Sequence, residues 1–520
     1  VDLVTESFAA GQRVLERRSS AARKLHGQFL TPPTVARYMA DQLGALPDKF
    51  TILDPALGSG TLLCAVIERL INENTRADVQ VEGYEIDPVL YETAFSILER
   101  ARIGAAKRGV NLDVRLHCGD YILEEAAHRQ PSLFTLMDEP PQRYSYIIAN
   151  PPYFKLNSDD PRAKINRSLV GTHTNIYTLF MALAVKSLAS QGRSVFIVPR
   201  SFCSGAYFAR FREELSDQVA IERLHLFDSR GENFDEVLQE NVIITFERRA
   251  NSVLTTVPSG ISISASQNSA DIAYAETRAV PSPLVLYRRD RVMFYRLPTD
   301  PNDELILRAF DSWEGSLHQY GMEVSTERVV AFRAEDHLRV FPSETTVPLL
   351  WMQHAKAGGI EHPLHDLRKS QWIEPIPDAA SLLVSVANYV LLRRFSAKEE
   401  PRHLIAGAFL RDIFAFSCVG FENHLNYIYR QHGELTKAET CGLVALYNSA
   451  LFDRYFRITN GNTQVNATEL RALPLPPLNV IQSIGALLIS NPRVDVDQLV
   501  SERLFEADLI PSDLLTAEKL

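Results

Sequence analysis

The stretch YSYIIANPPYFK, residues 144–155, carries an apolar run into Asn150, two prolines and two aromatic rings. Each proline fixes its own φ at about −65° and restricts the residue before it, so the corner is stiff. A strand ending there presents the Asn150 side-chain carbonyl and the Pro151 backbone carbonyl as two rigid acceptors. That pair suits an exocyclic amine whose lone pair is delocalised into an aromatic ring. Accepting both N–H hydrogens pulls the nitrogen toward tetrahedral geometry, frees the lone pair and stabilises positive charge as it develops, with no general base required. Tyr153 offers a face on which the ring bearing that amine can stack. The same residues also make a polyproline-like turn with two core aromatics, so the motif needs company.

Three earlier strand ends supply it. In LDPALGSGTLL (53–63) a strand runs into Asp54, a tight turn carries Gly58 and Gly60, and a helix starts near Thr61. Backbone there can approach a ligand without Cβ interference. The third glycine of a dinucleotide fingerprint and the Lys-Ser/Thr of a phosphate loop are both missing. GYEIDP then places Glu85 where a carboxylate can accept both hydroxyls of a ribose, and HCGD places Asp120 where one can accept an adenine amino group. Either acid also reads as a helix cap or solvated strand end, with Pro88 opening a helix. Together the ends describe a cleft for a nucleoside with no phosphate to neutralise.

The elements that must position these residues alternate. FTILD, VQVEGYEID, VRLHCGD, YSYIIAN, SVFIVP, IERLHLF and NVIITFER are seven candidate strands. TLLCAVIERLI, PVLYETAFSILERARIGAAKRG, NIYTLFMALAVKSLAS and FARFREELSD are helical stripes among them. The fold class is α/β, a mostly parallel sheet covered by helices on both faces; its last two strands read as an antiparallel edge hairpin. Residues 251–283, rich in Ser, Ala and Thr, read as a linker. The irregular sequence beyond it contains a helix at 438–457.

With 520 residues, 46% hydrophobic and 23% charged, the chain has material for two or three full cores. Its five cysteines, odd in number and scattered, argue against a disulfide framework and a zinc site, so no metal is expected. No apolar run reaches the roughly 20 residues of a membrane span and no secretion signal opens the chain, so a cytoplasmic protein without a membrane partner is expected. The formal charge of −10 does not exclude nucleic acid, because phosphate contacts depend on local clusters.

Taken in order, GQFLTPPTVARYM (27–39), DPALGSG, YEIDP, GD at 119–120, NPPY, NIYTLF and GRSVFIVP resemble the gamma-class, Taq-type N6-adenine DNA methyltransferases of restriction-modification systems. The resemblance spans about 27–250 and implies a seven-stranded S-adenosylmethionine-dependent catalytic domain there. Residues 1–26 become an N-terminal arm and 284–520 a mixed α+β target-recognition domain. It implies a cofactor set of Thr31, Asp54, Ala56, Gly58, Gly60, Glu85, Ile86, Asp120 and Asn150. Thr31 and the glycine turn would take the methionine end, Glu85 the ribose and Asp120 the adenine. Asn150 and Pro151 would bind the target amine, and Tyr153, with Phe234 from a loop before the last strand, would stack on a base flipped out of double-stranded DNA. Thr31 also reads locally as the cap of a helix opened by Pro32 and Pro33, with Val35, Met39 and Leu43 as its buried stripe. FSCVGFENHLNYIYR and YFRITNGNTQVNATELRALPLPP resemble recognition-domain segments, making Asn460, Asn462, Gln464 and Arg471 candidate DNA contacts, as are the basic pairs Arg288-Arg289, Arg368-Lys369 and Arg393-Arg394. A monomer is expected, with its cognate restriction endonuclease on a separate chain. The alternatives are a protein glutamine N5-methyltransferase, which meets the same nitrogen problem with the same motif, an RNA guanine methyltransferase, and a non-catalytic DNA-binding subunit.

Overall fold

A computed structural model of the chain describes residues 2–19, 29–129, 143–170, 175–227, 241–249, 259–289, 292–326, 329–396, 400, 402–460 and 464–515. The chain folds as two compact units, the first ending at Thr299 and the second starting at Asp300.

The first unit is built on one large sheet, with a separate two-stranded antiparallel ribbon, Leu286–Arg289 and Val292–Tyr295. In chain order its elements are α1 (Leu3–Glu16), α2 (Pro33–Asp41), β1 (Lys49–Asp54), α3 (Thr61–Asn72), β2 (Ala77–Glu85), α4 (Pro88–Ala106), β3 (Val110–Cys118), α5 (Tyr121–His128), β4 (Tyr144–Ala149), α6 (Pro161–Ile165), α7 (Ile176–Ser187), β5 (Leu188–Pro199), α8 (Ala209–Gln218), β6 (Val219–Phe227), β7 (Asn241–Arg248), β8 (Gly260–Ser266) and β9 (Thr277–Pro281). The strand order is β3-β2-β1-β4-β5-β7-β6-β8-β9. The β1 to β5 pairings are parallel, and β7 lies antiparallel between β5 and β6. This is the doubly wound α/β sheet expected from the alternation of apolar runs and helical stripes, and it gathers the carboxyl ends of β1 to β4 along one edge.

The strand count, the linker, the edge hairpin and the N-terminal arm are corrected. The sheet has nine strands rather than seven, because the stretch read as a linker contributes β8, parallel to β6, and β9, antiparallel to β8. The β6 and β7 pair therefore lies inside the sheet and is not an edge hairpin. Residues read as an N-terminal arm include α1, which buries Leu3, Val4, Ser7, Gly11 and Leu15 in the unit.

Local signals explain the helix starts. Asp87 caps α4 by accepting from Val89 N and Leu90 N, with Pro88 at the first helical position. α7 is buried on all sides, and its composition is apolar all round to match. Ile52, Ile148, Val195 and Ile197 of the sheet pack with Val35, Met39, Leu63 and Leu98 of the helices in the main core.

The second unit is α+β. A four-stranded antiparallel sheet runs in the order 322–326, 425–430, 389–393, 406–409, beside a five-stranded sheet ordered 338–339, 372–373, 347–350, 418–421, 383–385. The helix expected at 438–457 is two helices, Lys437–Asn448 and Ala450–Thr459, divided at Ser449, whose ψ of 149° is extended and whose hydroxyl caps the second helix through Phe452 N.

Candidate active site

β1 delivers Asp54 to the carboxyl edge of the sheet, and the chain turns through Pro55–Gly60 into α3. Gly58 (φ 56°) and Gly60 (φ 85°) sit in the left-handed region, which is why glycine occupies both. Asp54 is fully buried; its Oδ1 accepts from Ala56 N at 3.0 Å, and its Oδ2 has no hydrogen-bond partner among the described residues. Burial pushes its carboxyl up to about 8, helped by the nearby charge of Glu85. Glu85, at the end of β2, accepts from Gly58 N and Asp87 N, both at 2.8 Å. Burial lifts it to about 7 against the pull of those two N–H groups. Asp120 caps α5 through Ile122 N and Leu123 N, so the cap and strand-end readings hold at once; its other oxygen lies 3.7 Å from Arg162 Nη1.

Ala56, Gly58, Glu85 and Asp120 line a cleft of 560 Å³, whereas Asp54 and Gly60 are not among its lining residues. Ala56, Gly58, Glu85, Ile86 and Asp120 line one part of it, and Asn150, Pro152 and Phe154 another. That volume is in the range of pockets that enclose a small organic molecule. Ile86 is 61% exposed, an apolar side chain beside a carboxylate, as a ring stacked next to a ribose would need. An orphaned buried carboxylate oxygen, a glycine cradle and two strand-end acids, with no cation in the turn, fit S-adenosylmethionine.

The Asn-Pro-Pro-Tyr corner has its own network. Asn150 Nδ2 donates to Phe29 O and to Thr31 Oγ1, each at 3.0 Å. Its Oδ1 accepts from the Tyr153 hydroxyl at 2.6 Å, and that hydroxyl also lies 2.9 Å from Ile197 O. Burial, with the neighbouring Tyr177, raises the Tyr153 phenol well above its ordinary range. The Tyr153 ring meets Tyr177 edge-on at 6.3 Å and Phe29 at 6.5 Å. Thr31 does not cap α2: Pro32 is the cap residue, without a side-chain bond, and the Thr31 hydroxyl is turned to Asn150 instead.

α1 adds what the sequence reading missed. Leu15, and Arg18 just past the end of the helix, line the cleft, with Arg18 Nη1 2.5 Å from Asp87 Oδ2. Ser7 Oγ donates to Ser59 O, inside the glycine turn, at 2.7 Å. A Cβ on Gly11 would stand 2.6 Å from Ser59 Oγ and 2.7 Å from Leu30 Cδ1. The signal was available, since Leu3, Ser7, Gly11 and Leu15 recur every fourth residue. Gly11→Val is therefore expected to overpack this contact by about 1–3 kcal/mol. It should lower the melting temperature and weaken cofactor binding together, as calorimetry and thermal denaturation would register; unchanged binding would separate α1 from the glycine turn.

Comparison with known proteins places this geometry. Residues 113–234 match the family model described as Eco57I restriction-modification methylase. The chain is 34% identical over 492 residues to the Type II methyltransferase M.BsuBI of Bacillus subtilis, covering 92% of this chain and 94% of that one. The chain belongs to the Type II methyltransferases. M.PstI of Providencia stuartii, another Type II methyltransferase, is 31% identical over 463 residues, 88% of each chain. In fold, the chain is similar to the Type IIL restriction-modification enzyme MmeI, solved in complex with DNA: TM-score 0.52 at 13% identity, over 98% of this chain and 72% of that one. As a family member the protein is a restriction-modification DNA methyltransferase that uses S-adenosylmethionine.

Within this family member the residues read as DNA contacts differ in availability. Arg368 and Lys369 are exposed, and the Lys369 ammonium stands 4.1 Å over the Trp351 ring. Arg393 is engaged within the fold: its side chain is 12% exposed, donates to Ala355 O and pairs with Glu400 at 2.5 Å. Asn460 is buried and donates to Glu469, again a use within the fold. Arg394 donates to Asn423 O, and Arg471, half exposed, donates to Val324 O at 2.5 Å. Gln464 bridges Phe395 through its backbone. Phe234 and Asn462 lie outside the described residues. Among the described residues no cluster of His, Cys, Asp and Glu is placed to hold a metal, and no helix is long and apolar enough to cross a membrane.

Proposed function

We propose that the enzyme methylates N6 of an adenine flipped out of double-stranded DNA, protecting host sites within a restriction-modification system. The observation that carries this reading is the Asn150 amide on the cleft wall, with both its hydrogens held by protein acceptors and its oxygen met, among the described residues, by a phenol that has a second acceptor to turn to. That oxygen and the Pro151 carbonyl accept the two hydrogens of the target amine, draw the nitrogen toward tetrahedral geometry and stabilise its developing charge. Bound S-adenosylmethionine supplies the methyl group as an electrophile on a sulfonium. Glu85 and Asp120 would hold its nucleoside, Ile86 one face of its ring, and the Ala56–Gly60 turn its methionine end. Extrusion of the base costs a few kcal/mol, least where the duplex is already weakened. The relatives that span this chain nearly end to end are methyltransferases by name, which supports a cognate endonuclease on a separate chain. The methyltransferase is expected to act as a monomer.

Incubation with labelled cofactor and duplex DNA, followed by digestion to nucleosides, should yield N6-methyladenine. Label in cytosine, or in protein alone, would overturn the assignment.

Glu85 makes cofactor binding sensitive to pH. Ionised, its carboxylate accepts ribose hydroxyls strongly on either oxygen, whereas the protonated acid turns one oxygen into a donor and accepts more weakly, so affinity should fall as the pH drops through about 7. Stability runs the other way: a carboxyl raised in the fold contributes fully below its ordinary range and loses that contribution as the pH rises through the folded value. Titration calorimetry across this range should show the trend in the native enzyme and a flattened profile in Glu85→Gln.

A further inference from the structure

We infer that Thr31 is a positioning residue for methyl transfer: together with the Phe29 carbonyl it latches the Asn150 amide in the one orientation that turns its oxygen toward the incoming amine. This rests on the role given to Asn150 above and deepens it.

An asparagine amide has two orientations of almost identical shape and opposite hydrogen-bonding sense, and only the partners decide between them. Here the Phe29 carbonyl, which can only accept, and Thr31 Oγ1 take the two Nδ2 hydrogens at 3.0 Å each. A flip would set two oxygens against one another and aim an NH2 group at the corner, where a target amine brings N–H of its own. The Tyr153 hydroxyl favours the same sense at 2.6 Å. It must leave Asn150 Oδ1 as the amine arrives, and Ile197 O at 2.9 Å receives it. During transfer the orientation therefore rests, among the described residues, on Phe29 and Thr31.

Three features suit Thr31 to this task. It is 5% exposed, so water cannot replace its hydroxyl. It precedes the Pro32-Pro33 pair, which stiffens its backbone. Its hydroxyl is not used as the cap of α2. Phe29 and Leu30 line the cleft on this side, and the Thr31 hydroxyl reaches the corner through the Asn150 amide.

The test compares full-length wild type, Thr31→Val and Thr31→Ser for kcat on duplex DNA and for S-adenosylmethionine affinity by calorimetry. Thr31→Val is expected to lower kcat about ten-fold, the rate equivalent of roughly one hydrogen bond, with cofactor affinity nearly unchanged. Thr31→Ser should restore most of the rate, and Thr31→Val should cause no further loss in an Asn150→Ala background. A ten-fold loss of cofactor affinity with kcat preserved would overturn the latch, as would independent effects of the two substitutions. Should Thr31→Val fold poorly, Thr31→Ala removes the hydroxyl without the branched side chain, and wild-type kcat in folded Thr31→Ala is equally fatal. The base that wild type methylates reports separately on the adenine assignment, because the latch is measured on whichever amine is modified.

Discussion

Asn150→Ala is expected to reduce methyl transfer on the order of 10² to 10³-fold while leaving S-adenosylmethionine affinity nearly unchanged. The substitution removes the side-chain acceptor and leaves the Pro151 carbonyl, so one of two preorganised dipoles aimed at the developing charge is lost. Because that charge exists only as the bond forms, the loss falls on kcat and not on ground-state binding. The cofactor cleft keeps Glu85, Asp120 and the glycine turn, none of which bonds to Asn150. Single-turnover transfer with labelled cofactor, run beside calorimetry, measures the two quantities independently. If affinity collapses while bound cofactor still reacts at the wild-type rate, Asn150 belongs to the cofactor site and the account of the corner is wrong.

What could be read in advance follows a physical rule. β1 to β7 were legible because each is an apolar run closed by a turn signal, and the four strand ends were legible because their chemistry sits in adjacent residues. β8 was not: GISISAS carries Ile261 and Ile263 inward, but its serines argue for a loop. Inside the fold Ser264 and Ser266 are buried against the two ring nitrogens of His225, at 2.9 and 3.0 Å. A hydrogen-bonded hydroxyl can occupy a core that hydrophobic patterning assigns to apolar residues alone. The same limit hid the network around Asn150. Locally Thr31 has one obvious use, capping the helix beside it, whereas its actual partner is 119 residues away. The split at Ser449 was hidden for the converse reason, since a serine mid-pattern can sit in a helix or cap the next one.

Tyr153 separates two functions that one residue carries, and its variants should divide accordingly. Tyr153→Ala removes the ring expected to stack on the extruded base, an interaction worth about 1–3 kcal/mol, and should cost roughly ten- to a hundred-fold in kcat/KM for DNA. Tyr153→Phe keeps the ring and deletes the hydroxyl. That hydroxyl has a single proton, which cannot serve Asn150 Oδ1 and Ile197 O at once, so in the free enzyme it competes with the target amine for the catalytic acceptor. Its loss leaves the Asn150 amide held by Phe29 and Thr31 and spares the substrate a displacement. Tyr153→Phe is thus expected to retain a rate within a few-fold of wild type, because a neutral hydrogen bond exchanged for another has little net free energy. A base analogue that brightens on unstacking, placed at the target, should report reduced extrusion for Tyr153→Ala and near-normal extrusion for Tyr153→Phe. Equal damage from both substitutions would mean that the hydroxyl, and not the ring face, is what the reaction needs at this corner.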